Sequence, residues 1–388
     1  MRRRLIAMFV ALIMVLCNFS PAFAETASSS KAASKAVLET TAESAVLMEN
    51  SSGKVLFAKE PTKRLPIASV AKIMVLLLAC EALDAGQVRL EDMIRASENA
   101  AGMGGSQIFL APQEELSYRE MLISIATGSA NDACVAVAEH LAGSEEAFVE
   151  KMNEKVRELG LKNTCYVNVT GLPAEGHYSC AYDQAVILRE ALKNRAFREI
   201  SRIKEYDLRG GSFKLWNTNK LLWWYRGTIA GKTGWTNEAK YCLASTVERE
   251  SLNLIAVVLG TPEPKSHFRE SIKLYNWGFA RFKAVSFAKE GEVIKTVPVE
   301  KGTVEAVQLV PERDVSVVVP RGEDKDISSR IEIPEVLTAP LQKGEPVGRY
   351  TVAKKGEELL VVRIVTKNEV PKASIVEQLR KLGNTIVR

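Results

Sequence analysis

The sequence is poor in the residues that bind metals or staple small domains. Its 388 residues include three histidines, His140, His177 and His267, and six cysteines. The histidines lie far apart with no H-x-x-x-H or H-E-x-x-H spacing, which argues against a histidine-built zinc hydrolase. Cys17 falls in an N-terminal leader. Cys80, Cys134, Cys165, Cys180 and Cys242 are odd in number, scattered and without a C-x-x-C pair. That set is no disulfide framework and reads as buried free thiols. No G-x-S-x-G occurs, so a nucleophile-elbow hydrolase is unsupported. Neither charge dominates: 52 Lys and Arg face 47 Asp and Glu. Three of those arginines (Arg2, Arg3, Arg4) belong to the leader, and the near-neutral remainder excludes a nucleic-acid binder by charge alone. What remains is a globular composition, 46% hydrophobic and 26% charged, with length for about two domains.

The N-terminus reads as a signal peptide, residues 1–24: a basic start, an apolar run over Leu5–Cys17 too short to span a membrane comfortably, and Ala22-Phe23-Ala24 as the cleavage pattern. Residues 25–35 form an Ala/Ser/Thr/Lys linker. The first domain is expected over 36–283. It opens with a hairpin in Ala45–Glu60 and continues with an apolar helix from Ser69 to about Leu83. Helices over Tyr118–Ala126, Asp132–Leu141 and Glu146–Glu158 follow, then strands over Thr228–Gly234, Tyr241–Glu248 and Asn253–Gly260. A helix over Ser266–Lys283 closes it. This order predicts an α+β class, an antiparallel sheet with helices packed on it and a helical subdomain inserted. Residues 284–367 carry short β patterns only, at Val293–Val299, Val304–Val310, Val315–Val319, Ile331–Ile333 and Leu359–Val365. They predict a small all-β domain. The tail, 368–388, has an apolar stripe (Ile375, Val376, Leu379, Leu382, Ile386) opposite a largely basic face, the pattern of a helix lying on a membrane surface.

Three short motifs carry chemistry. S-x-x-K occurs five times, from Ser28, Ser51, Ser69, Ser201 and Ser286. Only Ser69-Val70-Ala71-Lys72 opens a strongly apolar helix, with Lys72 one turn beyond Ser69 on the same face. A serine hydroxyl needs a base in reach, and a buried lysine with a second cation nearby is pushed toward the neutral form that can serve. Ser129-Ala130-Asn131 and Lys232-Thr233-Gly234 follow in order. Each motif alone is weak; the ordered triple at a helix start, a loop and a strand is the signature of penicillin-recognising serine enzymes.

The segments Leu65–Met74, Ser129–Ala133, Asn168–Leu172, Gly176–Ser179 and Lys232–Ala239 together resemble the low-molecular-mass penicillin-binding proteins of the serine D-alanyl-D-alanine carboxypeptidase family. The likeness runs from about Ala36 to Lys367. It implies a penicillin-binding-protein/β-lactamase-like catalytic domain on a β-sandwich-like stalk, exported to the outer face of the cytoplasmic membrane or the wall space. The implied reaction removes the terminal D-alanine from peptidoglycan stem pentapeptides. Carried onto this chain, the resemblance makes Ser69 the acylated nucleophile, Lys72 its base and Ser129 a proton relay. Asn131 holds the substrate amide, and Lys232 and Thr233 hold its carboxylate. Gly234 leaves room beside the strand, and the amides of Ser69 and Trp235 form the oxyanion hole. β-Lactam antibiotics are expected ligands; no metal or cofactor is implied. Two departures stand out: Lys240 follows Ala239 where many relatives have glycine, and Gly260-Thr261-Pro262 offers no arginine for the carboxylate. The rival readings are a β-lactamase, a D,D-endopeptidase that cuts crosslinks, and a non-catalytic binding protein. Glu190-Ala191-Leu192-Lys193-Asn194 only loosely echoes the E-x-x-L-N pattern of a deacylating β-lactamase, and no motif of the triple is broken.

Overall fold

The computed structural model describes residues 38–378. The expected signal peptide, the expected linker and the tail beyond Gln378 lie outside the described residues. Leu38 and Glu39 carry no regular structure, and Thr40 opens the compact unit described below.

The chain first makes the expected hairpin, β1 (Ser44–Glu49) and β2 (Val55–Lys59). A 3₁₀ turn, Ala68–Ala71, leads into α1 (Lys72–Asp84), which is apolar on nearly every side. Such a helix is stable only when surrounded. A short pair, β3 (Met93–Arg95) and β4 (Glu115–Ser117), flanks α2 (Glu98–Ala101). Then come α3 (Tyr118–Ile123), α4 (Asn131–Ala142), α5 (Glu145–Glu158), α6 (Ala181–Ala191) and α7 (Arg195–Ser201). A second short pair, β5 (Glu205–Leu208) and β6 (Phe213–Trp216), precedes α8 (Leu221–Trp224). The three long strands β7 (Thr228–Thr236), β8 (Lys240–Arg249) and β9 (Leu252–Thr261) and the helix α9 (Ser266–Arg281) complete this part.

The main sheet is antiparallel throughout, in the order β2-β1-β9-β8-β7. Its inner strands read as near-continuous apolar runs because helices cover both faces: α9 packs on β8 and β9, and α6 on β9 and β1. β7 is an edge strand. The helix expected over Tyr118–Ala126 ends differently: after Ile123 it widens into a π-turn, Ser124–Gly128, and stops with Ser129 in the left-handed region at φ 61°. The helix expected to reach Lys283 ends at Arg281, and Phe282 begins a strand.

That strand, β10 (Phe282–Ala288), opens the all-β part: β11 (Lys295–Glu300), β12 (Ala306–Pro311), β13 (Val315–Pro320), β14 (Ile327–Glu332), β15 (Leu337–Thr338), β16 (Pro346–Lys354) and β17 (Glu357–Thr366). β10 pairs with β13. The rest form a six-stranded sheet in the order β14-β16-β17-β12-β11-β15. Val297, Leu309, Val317, Val352, Val362 and Ile364 fill one core shared by both sheets. The start of the tail is fastened here. Val370 is buried and bridges to Leu341, and Lys372 bridges to Gly302.

Candidate active site

Ser69 sits in the 3₁₀ turn, one turn before Lys72 at the start of α1. The residue before it, Ala68, is held at φ 47°, a conformation that costs energy outside glycine and recurs at functional sites. Two glycines make this geometry fit. A Cβ on Gly234 would lie 2.6 Å from the Ile67 carbonyl and 3.0 Å from the Ser69 nitrogen. A Cβ on Gly171, at φ 80°, would lie 2.0 Å from the Ala68 carbonyl oxygen. The edge of β7 and the loop around Gly171 therefore clamp the turn bearing Ser69 from two sides.

Lys72 is fully buried. Its Nζ lies 2.8 Å from Ser69 Oγ, 2.6 Å from Asn131 Oδ1 and 2.7 Å from the Thr170 carbonyl. Burial pushes the Lys72 amine down from 10.5 to about 8, against the opposing pull of Cys134 and Asp132. A neutral amine has two N–H bonds and one lone pair. Asn131 and Thr170 take the two donors, which leaves the lone pair toward the serine hydroxyl. Asn131 is itself aimed by its amide, which donates to the Gly104 carbonyl at 2.6 Å.

A second lysine–serine pair stands opposite. Lys232, 2% exposed on β7, donates to Ser129 Oγ at 2.8 Å. Burial first, and the Lys72 charge second, lower its affinity for a proton well below normal. Thr233 donates to the Thr218 hydroxyl at 2.8 Å. Trp235 is exposed, as is Lys240 at the turn into β8. Ser69, Ser129, Thr233, Gly234 and Trp235 line one open cavity of about 620 Å³, with Asn131, Lys72 and Lys232 just beneath. Lys220 and Lys265 also line it, and among the described residues no Asp or Glu does. Glu190 lies on α6, paired with Lys193, and takes no part in the lining.

All the residues singled out by the three motifs are thus brought together. Others had no role assigned from the sequence. The Thr170 carbonyl is a backbone group without a side-chain signature, and Thr218 is a single hydroxyl within Trp-Asn-Thr-Asn-Lys. Asp132 is fully buried and accepts from the amides of Ile108, Leu110 and Ala133. It ties the segment beside the site to the start of α4.

Residues 29–263 match the family model described as D-alanyl-D-alanine carboxypeptidase, and residues 282–372 the one described as penicillin-binding protein 5, C-terminal domain. Over 383 residues the chain is 40% identical to D-alanyl-D-alanine carboxypeptidase DacF of Bacillus subtilis (strain 168), covering 98% of this chain and 97% of that protein. It is 35% identical over 341 residues to D-alanyl-D-alanine carboxypeptidase DacA of Escherichia coli (strain K12), covering 86% and 84%. Among solved structures, penicillin binding protein 5 from Haemophilus influenzae aligns with a TM-score of 0.69 at 32% identity, covering 86% of this chain and 98% of that one.

Proposed function

We propose, from the premise that this chain belongs to the D-alanyl-D-alanine carboxypeptidase family of serine peptidases, that Ser69 is its nucleophile and Lys72 its general base. The fold is that of the penicillin-binding proteins, an α+β domain followed by an all-β domain. The observation that carries the assignment is the buried Lys72 amine, 2.8 Å from Ser69 Oγ and held by Asn131 and Thr170.

The substrate is a peptidoglycan stem peptide ending in D-alanyl-D-alanine. It lies along the free edge of β7 as an added strand. Its carboxylate is held by the Thr233 and Thr218 hydroxyls within the field of Lys232. Lys72 takes the Ser69 proton as Oγ attacks. The amides of Ser69 and Trp235 hold the oxyanion, worth ~3 kcal/mol per donor. Ser129, joined to Lys232, passes a proton to the leaving D-alanine. Water then hydrolyses the ester. β-Lactams enter the same chemistry and stay, because among the described residues no carboxylate lines the cavity to drive deacylation; this argues against a β-lactamase. The leader and the basic tail support export, to the outer face of the cytoplasmic membrane or the wall space. Among the described residues no helix is long and apolar enough to cross a membrane.

The test is release of free D-alanine from a stem pentapeptide by the purified protein, with Ser69→Ala alongside. Release that disappears in the variant supports the assignment; release that survives it names another nucleophile.

A further inference from the structure

The carboxylate end of the proposed site offers hydroxyls and no permanent guanidinium. Thr218 and Thr233 line the cavity, and among the described residues no arginine does. Lys232 is bonded to Ser129 and held below its ordinary affinity for a proton. One ring on the same wall is unused by the steps above. His267 lines the cavity while only 6% exposed. Its Nδ1 is buried without a partner. Its Nε2 makes no hydrogen bond among the described residues either, and is the ring nitrogen left open to the cavity. Sealing a polar atom without a partner costs free energy, and such a group points to a catalytic role, a water or an ion.

The ring is held firmly. It stacks on Tyr241 with centroids 5.6 Å apart and planes within 6°, and the Phe268 ring lies 4.0 Å away. Tyr241 pairs with Trp235 across β7 and β8, their rings 6.1 Å apart. Two ring contacts thus tie His267 to the strand that carries Thr233. His267 also sits in the first turn of α9, a 16-residue helix with no acidic residue in that turn. The free amides and the dipole of such a helix end favour an anion. Lys220 and Lys265 on the lining add positive charge. The nearest carboxylates along the chain, Glu263 and Glu270, do not line the cavity, and Glu263 pairs with Arg269.

We propose that His267 donates from Nε2–H to the terminal carboxylate of the substrate, beside Thr218 and Thr233, and so sets the preference of this chain for peptides that end in a free carboxylate. The proposal rests on Ser69 being the nucleophile and on the substrate lying along β7. In a neutral imidazole one nitrogen carries the proton. Burial first, and the Arg269 charge second, push the His267 ring down to about 4, so at neutral pH it meets the anion uncharged. A second proton on the sealed Nδ1 would be a buried donor without an acceptor. The bond is therefore that of a neutral donor to a charged acceptor, stronger than one between neutral groups. A carboxamide in the same place offers that donor only a neutral oxygen. The imidazole does here what an arginine at Gly260-Thr261-Pro262 would do, by direct hydrogen bonding rather than by fixed charge.

The experiment offers the purified protein a stem pentapeptide and two activated thioester substrates that differ only in ending in a carboxylate or a carboxamide. The thioester makes both turn over measurably. D-Alanine release from the pentapeptide reads Ser69, and the carboxylate-to-carboxamide ratio of kcat/KM reads His267. His267→Phe keeps a stacked ring and removes both nitrogens. It should lower the ratio by about tenfold, with the fall confined to the carboxylate substrate. His267→Arg restores a donor and should keep the ratio within about threefold of the unaltered protein. Thermal melting verifies folding. Should His267→Phe unfold, His267→Leu takes its place; should His267→Arg unfold, the apolar variant decides alone. A ratio unchanged in the folded apolar variant, an equal fall for both substrates, or the same fall in a folded His267→Arg overturns the assignment. Absence of D-alanine release by the unaltered protein overturns the Ser69 reading and the assignment with it.

Discussion

In the proposed mechanism Lys72 carries the pH dependence of the reaction. Its amine must be neutral to take the Ser69 proton, and burial lowers it to about 8. The neutral fraction rises as pH climbs, so acylation should speed up by about tenfold per pH unit below that value and level off above it. Stopped-flow acylation by a chromogenic cephalosporin across roughly pH 6 to 10 reads this limb directly. A rate that keeps climbing through the top of that range, as a lysine at its ordinary 10.5 would give, would show that burial does not tune the base. At this scale the sequence was most legible. Ser69, Lys72, Ser129, Asn131 and Lys232 carry side chains whose spacing is a signature. Asn131 was expected to face the substrate amide. The structure adds that its carbonyl oxygen holds Lys72 and its amide is anchored on Gly104, a role that no spacing reveals.

Asp132 sets how well the elements around the site are held. Its carboxylate accepts from three backbone amides with no exposure to water. Asp132→Ala should cost about 2–4 kcal/mol, because it strands buried N–H groups that now bond a charged acceptor. Asp132→Asn, which keeps one acceptor, should cost less. Urea unfolding of the three proteins measures both; a loss below about 0.5 kcal/mol for the alanine variant, the range of ordinary surface changes, would remove Asp132 from this role. Elements with strong apolar patterns were readable in the sequence, among them α1 and the strands β7 to β9. The short pairs β3–β4 and β5–β6 were not, since three or four residues hold too little pattern. β16 was hidden by Pro346 and Gly348 at its start. The π-turn before Ser129, closed by the Ser129 amide on the Ser124 carbonyl, has no periodicity in the sequence to announce it.

The site exists only when the whole α+β domain is assembled. Its parts come from residues near 69, 105, 130, 170, 218 and 233, and none of these segments makes a site alone. The change from helices to strands near residue 284 was visible in the sequence, because the β part contains little else; the true first strand begins at Phe282. Ser28 lies outside the described residues, and the other alternative S-x-x-K serines lack this setting. Ser51 bonds to Glu49, Ser201 is buried at the end of α7, and Ser286 lies on β10. The most direct measurement is intact-protein mass spectrometry after treatment with benzylpenicillin, followed by peptide mapping. A single persistent penicilloyl adduct on Ser69, absent from Ser69→Ala and from the denatured chain, is the predicted result. An adduct on Ser28, Ser51, Ser201 or Ser286, or penicillin turnover without any accumulated adduct, would contradict it.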